Sequence, residues 1–174
     1  SKDDLKGFSE EDVERFKEFC NAGLFKRDWK LYKHQEEMLK QAVGGKHCIV
    51  TTGTGSGKTE SFLLPLFANL VKESSSWEEW EPTPGANWWE KARSKEVNKR
   101  EKQKRDSALR GIIFYPMNAL VEDQLSRLRM AVDSSEAHDW YKESNKLNKF
   151  YFGRYTGNTP VAGHEKKRKN DGSF

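Results

Sequence analysis

The sequence predicts an α/β domain with a parallel sheet, preceded by a short helical N-terminal segment. Two observations support this prediction. Short runs rich in β-branched and aromatic residues alternate with longer runs of helical periodicity, which is typical of a parallel sheet flanked by helices. A glycine-rich loop also connects the first of these short runs to a helix. The predicted strands are His47–Thr51, Gly111–Tyr115 and Lys149–Tyr155.

Two helices are predicted before the first strand. Ser9 followed by Asp12 is a capping-box pattern, and the apolar residues after it share one helical face until Gly23 ends the run. The first helix is therefore expected at about residues 10 to 22. The second is expected over Lys33–Val43, because Gly44 follows it.

Three further helices are predicted in the rest of the chain. One begins at Lys58 and runs to about Lys72; it is apolar on almost every side, which indicates deep packing, although Pro65 lies inside it. A second follows Pro116, and a short polar one covers Ser134 to Ser144. The inner face of the helix after Pro116 consists of Leu120, Val121, Gln124, Leu125, Leu128 and Ala131.

The segment from Glu73 to Asp106 lacks periodicity and is longer than a typical α/β connection, so we predict an insertion there. Its second half, from Lys91 to Arg105, has eight basic and two acidic side chains. This half is predicted to be solvated and poorly ordered, with phosphate binding as the alternative. The tryptophans suggest that the first half is anchored on the domain; they are Trp77, Trp80, Trp88 and Trp89.

The bulk composition limits the class of protein. Lys and Arg number 31 against 27 Asp and Glu, a small excess that permits nucleic-acid binding without predicting it. Cys20 and Cys48 lie in apolar patterns without ligand spacing, which indicates reduced packing residues. Because no apolar run is long enough for a membrane span and no signal peptide is found, we expect a soluble cytoplasmic protein.

The loop before the helix at Lys58 has the features of a phosphate-binding loop. Glycines allow successive backbone N–H groups to converge on a polyphosphate, and the helix N-terminus adds partial positive charge. Lys58 is predicted to contact the outer phosphates and the Thr59 hydroxyl to bind Mg²⁺. Thr52 stands where the strict pattern has glycine. The candidate nucleotide-binding residues here are Thr52, Gly53, Thr54, Gly55, Ser56, Gly57, Lys58, Thr59 and Glu60.

Three other stretches accompany this loop. Tyr32–Gln35 precedes the first predicted strand, Tyr115–Gln124 includes the end of the second, and Tyr155–Thr159 follows the third. Together with the loop, over residues 30 to 162, they resemble the first RecA-like domain of superfamily 2 DEAD/DEAH-type helicases. The Gly57–Glu60 and Pro116–Leu120 stretches are most similar to large bacterial helicases of anti-phage defence systems, such as DISARM and Druantia, and to their repair relatives.

The resemblance implies a role for each stretch. Lys58 and Thr59 would bind ATP and Mg²⁺ for catalysis, and Gln35 would read the edge of adenine. A neighbouring aromatic ring would stack on the base, the candidates being Tyr32, Trp29 and Phe25. The turns after the second and third predicted strands would bind the backbone of nucleic acid, expected to be single-stranded DNA. Their residues are Pro116, Met117, Asn118, Ala119, Thr156, Gly157 and Asn158.

These expectations divide the chain into an N-terminal helical segment with Gln35, residues 1 to 45, and an incomplete first RecA-like domain, residues 46 to 174. No Asp-Glu pair for the metal site follows Thr159. We therefore expect the ATP-binding and strand-gripping portion of a helicase or translocase motor. The expected partners are the rest of the motor, with its second RecA-like domain, and subunits of a defence complex. These 174 residues alone are not expected to hydrolyse ATP.

Two alternatives stay open at this point. A restriction-type translocase, which moves along duplex DNA without separating the strands, would contain the same motifs. A non-catalytic nucleotide-binding or partner-docking module would instead use the tryptophan-rich insertion as its binding surface. A strand-displacement assay distinguishes the first alternative, and an Asp-Glu pair further along the gene distinguishes the second.

Overall fold

The computed structural model describes residues 5–25, 30–53, 55–81, 103–116, 118–157 and 159. Within these residues the chain forms five α-helices and one π-helical turn. In chain order they are α1 (Glu10–Phe19), the π turn (Cys20–Leu24), α2 (Lys33–Val43), α3 (Lys58–Ser74), α4 (Asn118–Asp133) and α5 (Ser135–Ser144).

The predicted helices are confirmed, with small differences in their bounds. α2 covers the predicted residues, Lys33–Val43. α1 ends at Phe19, and the chain continues as the π turn. The capping box is present, since Ser9 Oγ accepts a hydrogen bond from the Asp12 N–H at 3.0 Å and the Asp12 carboxylate accepts one from the Ser9 N–H at 3.2 Å. Local sequence signals were sufficient here because both partners lie within one helical turn.

The predicted parallel sheet, and with it the RecA-like fold class, is contradicted. In the described part of the chain, His47–Thr51, Gly111–Tyr115 and Lys149–Tyr155 form no strands. Ile49 is 93% exposed and Phe114 86%, whereas the strands of a parallel sheet are covered on both faces. Strand propensity describes side chains that suit a pleated, half-buried surface, and it does not supply the neighbouring strand.

Aromatic rings form the centre of the core, where α1, α3 and α5 meet. Phe19 of α1 is fully buried, and its ring centroid lies 5.0 Å from that of Phe67 in α3 and 4.9 Å from that of Trp140 in α5. Phe150, in a segment predicted to be a strand, lies 5.4 Å from Phe19. Tilted and edge-to-face pairs are favoured ring geometries. Phe150 is therefore held by packing against helical residues and not by pairing in a sheet.

The π turn packs directly against α4. A Cβ atom on Gly23 would overlap the carbonyl oxygen of Met130 and crowd Ala131. Gly23 was predicted to end the first helix, but it lies inside the π turn, at the point of closest approach to α4. The absent side chain therefore allows two backbones to touch.

A buried arginine joins α1, α3 and α5. Arg15 of α1 is only 9% exposed, and its guanidinium donates to the Ser144 carbonyl at 3.0 Å and to the Val71 carbonyl at 3.2 Å. It also donates to Ser74 Oγ at 3.1 Å and to Asn145 Oδ1 at 2.7 Å. Burial lowers the pKa of Arg15, but these hydrogen bonds compensate for the lost hydration of the charged side chain.

The first residues after α3 pack back onto the helices. Trp77 is 6% exposed, and the guanidinium carbons of Arg105 and Arg110 lie 4.0 Å and 5.6 Å from its ring centroid. Arg110 also donates to both carboxylate oxygens of Glu73, at 2.6 to 2.9 Å, and this contact lowers the pKa of Glu73. Trp77 is thus packed on the domain as predicted, whereas residues 82–102 of the predicted insertion lie outside the described residues.

Two sequence expectations concern the cysteines and membrane segments. Cys20 is buried, and burial raises the pKa of its thiol, while Cys48 is partly buried; both are free. Among the described helices, none has the length and apolar character that crossing a membrane requires.

The Arg15 cluster predicts a clear difference between two substitutions in α1. Arg15→Ala removes the guanidinium that joins acceptors on α3, on α5 and at Asn145, and it should lower the free energy of unfolding by about 3 kcal/mol. Lys17→Ala is the control, because Lys17 pairs with Glu14 on the surface, where the two side chains are 56% and 64% exposed. That change should cost about 0.5 kcal/mol or less. Urea unfolding of residues 1–174 measures both, and equal losses would contradict the role assigned to Arg15.

Candidate nucleotide-binding site

The loop before α3 is shaped by glycines. Gly57 is the N-cap of α3, with φ 73° and ψ 34°, and Gly55 has φ 77°. Both values lie in the left-handed region, where glycine carries no steric penalty. The loop and the helix predicted from the sequence are therefore present, but an irregular segment precedes the loop where a strand was predicted. Thr54 lies outside the described residues.

Hydrogen bonds inside the loop connect its first residues to its last ones. Thr52 Oγ1 lies 2.6 Å from Ser56 Oγ, and Ser56 Oγ donates to the Gly53 carbonyl at 2.8 Å. The Lys58 ammonium donates to the carbonyl oxygens of Thr52 and Gly53, at 2.8 Å and 2.5 Å. Lys58 is exposed, so this cation is held over the loop and is open to solvent.

These features fit a polyphosphate. No side chain caps α3, so its first N–H groups are available to an anion. A Cβ atom built on Gly53 or Gly55 would meet nothing within 4 Å, which shows that the loop has open space beside it. The Lys58 ammonium is next to the positive end of the helix dipole, an unfavourable arrangement that a bound anion would relieve.

Thr59 is the predicted Mg²⁺ ligand, and it is the second residue of α3. Among the described residues, no group of three or more His, Cys, Asp or Glu side chains is placed to hold a metal ion. Mg²⁺ bound to nucleotides takes few protein ligands and completes its coordination with phosphate oxygens and water. A single hydroxyl beside the phosphate loop is consistent with that kind of site.

Gln35, predicted to read adenine, connects α2 to the loop. It is fully buried, its Nε2 donates to the Gly57 carbonyl at 3.0 Å, and its Oε1 accepts from the Tyr32 N–H at 2.9 Å. Tyr32 is 50% exposed and its ring is stacked on His34, with centroids 5.7 Å apart. Among the three aromatic candidates for stacking, Tyr32 has an exposed ring, Phe25 packs against the core and Trp29 lies outside the described residues.

Glu60, also predicted to lie in the nucleotide site, has one carboxylate oxygen directed toward α4 and the other close to the loop. One carboxylate oxygen pairs with Arg127 of α4 at 2.8 Å, and the other would lie 3.2 Å from a Cβ atom on Gly57. Arg127 is not among the residues of the predicted inner face of its helix, and the sequence pattern does not predict this pair. The available signal was the Asp123–Arg127 spacing of four residues, which marks Arg127 as a paired residue but does not identify Glu60.

The two predicted strand-gripping turns are brought close by an ion pair. Glu122 of α4 pairs with Arg154, which lies two residues before Thr156. Thr156 and Thr159 close a turn, since the Thr156 N–H donates to Thr159 Oγ1 at 2.8 Å. Pro116 and Gly157 are exposed, and Asn118 and Ala119 begin α4. Met117 and Asn158 lie outside the described residues.

The described site thus consists of a glycine loop at the start of α3, Gln35 bound behind it, and two exposed turns. Residues 32–152 match the family model of the DEAD/DEAH box helicases. The chain belongs to the DEAD/DEAH box helicase family, and the resemblance found in the sequence is confirmed. Members of this family are ATP-dependent helicases.

Individual relatives agree with the family match. Druantia protein DruE of Escherichia coli (strain UMEA 4076-1) is 36% identical over 151 residues, which are 86% of this chain and 7% of that protein. The ATP-dependent helicase MJ1574 of Methanocaldococcus jannaschii is 27% identical over 118 residues, 68% of this chain and 12% of that protein. The mitochondrial ATP-dependent RNA helicase mss116 of Aspergillus fumigatus is 31% identical over 88 residues, 51% of this chain and 11% of that protein. No solved structure matches the chain.

The chain is therefore similar to only a small part of each relative. It spans between 7% and 12% of their lengths. The similarity to DruE confirms the predicted likeness to Druantia-type helicases.

The loop geometry predicts different losses of stability for two glycine-to-alanine substitutions. Gly57→Ala places a Cβ in the left-handed region and against the buried Gln35 amide, so it should lower the free energy of unfolding by about 1–2 kcal/mol. Gly53→Ala meets open space and should change it by less than about 0.5 kcal/mol without nucleotide. Thermal unfolding of the nucleotide-free chain compares them. Equal stability of the two variants would show that Gly57 is not constrained as described.

Proposed function

We propose that this chain is the ATP-binding and strand-gripping portion of a DNA helicase or translocase motor. The observation that carries the proposal is the cation of Lys58 held over an open glycine loop at the uncapped start of α3. Membership of the DEAD/DEAH box helicase family supports it, because helicases of this family depend on ATP and act on nucleic acid.

The proposed roles follow from the positions of the side chains. The Lys58 ammonium exchanges its contacts with the loop carbonyls for contacts with the outer phosphates of ATP. The first N–H groups of α3 donate to the same phosphates, and the Thr59 hydroxyl is the protein ligand of Mg²⁺. The bound nucleotide supplies a phosphoanhydride bond whose hydrolysis drives the motor. Catalysis also requires groups that orient water and neutralise the γ-phosphate, which we assign to the rest of the full-length protein.

Gln35 is proposed to hold the loop and to read adenine with the same amide. A side-chain amide has two N–H donors and two acceptor sites on its oxygen. The contacts with Gly57 and Tyr32 use one donor and one acceptor site. Because Gln35 is fully buried in the nucleotide-free chain, the proposal requires its amide to become exposed when ATP binds, and its remaining donor and acceptor then suit N7 and the N6 amino group of adenine. The exposed ring of Tyr32 is the proposed stacking surface.

The two turns are the proposed strand-binding surface. Pro116 and Gly157 are exposed, and the N-terminus of α4 adds backbone donors beside Pro116. Contacts of this kind bind phosphates without reading bases, so the sequence preference should be weak and the affinity should fall with salt. The choice of DNA and a role in phage defence rest on the resemblance to defence helicases, which the similarity to Druantia protein DruE supports. The alternative role in repair and the cytoplasmic location are proposed from the sequence alone. Subunits of a defence complex are proposed partners on the same ground.

The proposal predicts a specific loss in Lys58→Ala. Removing the ammonium should weaken Mg²⁺·ATP binding and lower ATP turnover of the full-length protein by roughly 10²-fold or more. The matched control is Lys46→Ala, an exposed lysine before the loop, which should retain turnover. Phosphate release with and without single-stranded DNA measures both variants. Parent-like turnover in Lys58→Ala would place the nucleotide site elsewhere.

A strand-displacement assay on the same proteins separates unwinding from translocation. A helicase displaces a labelled strand only while ATP is hydrolysed, and Lys58→Ala should abolish this. Hydrolysis stimulated by DNA without displacement of the strand would instead identify a duplex translocase.

A further prediction concerns the base. Gln35→Ala removes the amide that faces Gly57 and, in our proposal, adenine, so it should weaken the binding of ATP more than that of GTP. The difference should be roughly fivefold or more, the value of one or two hydrogen bonds of about 1 kcal/mol each. Competition binding to the full-length protein measures both nucleotides. Equal losses would leave Gln35 as a residue that only holds the loop.

A further inference from the structure

One ion pair joins the start of α3 to α4. Arg127 donates to Glu60 Oε1 at 2.8 Å, across 67 residues of sequence. The Glu60 side chain is 16% exposed and that of Arg127 49%. The pair is therefore partly shielded from solvent, which makes it stronger than a fully exposed surface pair.

On the α3 side, Glu60 adjoins the phosphate loop. It is the third residue of the helix and directly follows Thr59. Its second carboxylate oxygen would lie 3.2 Å from a Cβ atom on Gly57, and the Gly57 carbonyl accepts from Gln35. The Glu60 carboxylate therefore lies beside the residue that joins the loop to α3.

On the α4 side, Arg127 adjoins the proposed strand-binding surface. It also lies 3.5 Å from Asp123, one turn earlier in the same helix. The buried Tyr115 hydroxyl has no hydrogen-bond partner among the described residues. Burial raises the pKa of Tyr115, and the charges of Arg127, which lowers it, and of Asp123, which raises it, have smaller effects. Tyr115 directly precedes Pro116. The charge of Arg127 therefore acts on a residue next to the first turn.

The same helix is connected to the second turn. Glu122, near the start of α4, pairs with Arg154, two residues before Thr156. α4 thus makes charged contacts with the phosphate-loop helix through Arg127 and with the second turn through Glu122. Its own first residues form part of the first turn.

We propose that the Glu60–Arg127 pair positions α4 relative to the phosphate loop and so links nucleotide binding to the binding of a nucleic-acid strand. The inference rests on the proposed function and adds a pair of positioning residues to it. Because binding free energies are reciprocally linked, a nucleotide that tightens strand binding must itself be bound more tightly when the strand is present. Removing the pair leaves both surfaces in place but removes the contact between them.

The experiment measures this linkage in the full-length protein. The probe strand is a fluorescent oligo-dT, and its dissociation constant is measured by anisotropy with and without Mg²⁺ and a non-hydrolysable ATP analogue. The ratio of the two constants is the coupling factor. We expect a factor above one in the parent, and Arg127→Gln should reduce it by roughly two- to fivefold, as expected for a pair of this exposure.

Matched variants isolate the pair. Arg129→Gln removes the same charge from an exposed position two residues further along α4, and it should leave the coupling factor unchanged. Glu60→Gln should reduce the factor as Arg127→Gln does, and the double variant should lose no more than either single one. Exchanging the charges, with Glu60→Arg and Arg127→Glu together, should restore part of the factor, which a merely structural role of either residue would not predict.

The possible outcomes separate the two proposals. A parent that binds neither nucleotide nor strand overturns the proposed function and this inference with it. A parent that binds both, with a factor that Arg127→Gln leaves unchanged or with a factor of one, overturns the inference alone. Should Arg127→Gln fail to fold, Glu60→Gln, which preserves the shape of the side chain, decides in its place.

Discussion

The burial of the Arg15 guanidinium is the constraint on which the packing of this chain depends. A buried cation is tolerated only when its N–H groups find acceptors, and these come from residues 56 to 130 positions away in sequence. Two of the acceptors are carbonyls from the last turns of α3 and α5, where helices have unpaired carbonyls to offer. α1, α3 and α5 therefore have to meet at one point, and the ring cluster around Phe19 forms beside it.

α3 connects this core to the candidate site. Its last turn contacts Arg15, its middle buries Leu63, Leu64 and Phe67, and its first residue is Lys58. The loop is therefore mounted on a helix whose far end is anchored in the core. Gln35 adds a second anchor from α2 at Gly57, so two elements hold the end of the loop that joins α3. Such support keeps functional side chains in place more precisely than a free surface loop would.

The parts of the site that the sequence predicted are those whose physics is local. Gly55 and Gly57 adopt left-handed φ values that favour glycine, and Lys58 and Thr59 follow directly as the first two residues of α3. The capping box of α1 and the bounds of α2 were predicted for the same reason. Arg15, Arg127 and Trp77 could not be assigned their partners, because each contact joins residues that are distant in sequence. Charge and aromaticity show that such residues seek partners without showing which ones.

By itself, the sequence determined the helices, the glycine loop before α3, the candidate residues on either side of it and the membership of a helicase family, since all of these are read from short patterns. The tertiary structure decided how those pieces are held. It replaced a predicted sheet with helices packed around Phe19 and Arg15, turned Gln35 inward onto Gly57, and paired Glu60 with Arg127. The physical reason is that strand pairing and ion pairing both require a second partner, and only the folded chain brings that partner within a few ångströms.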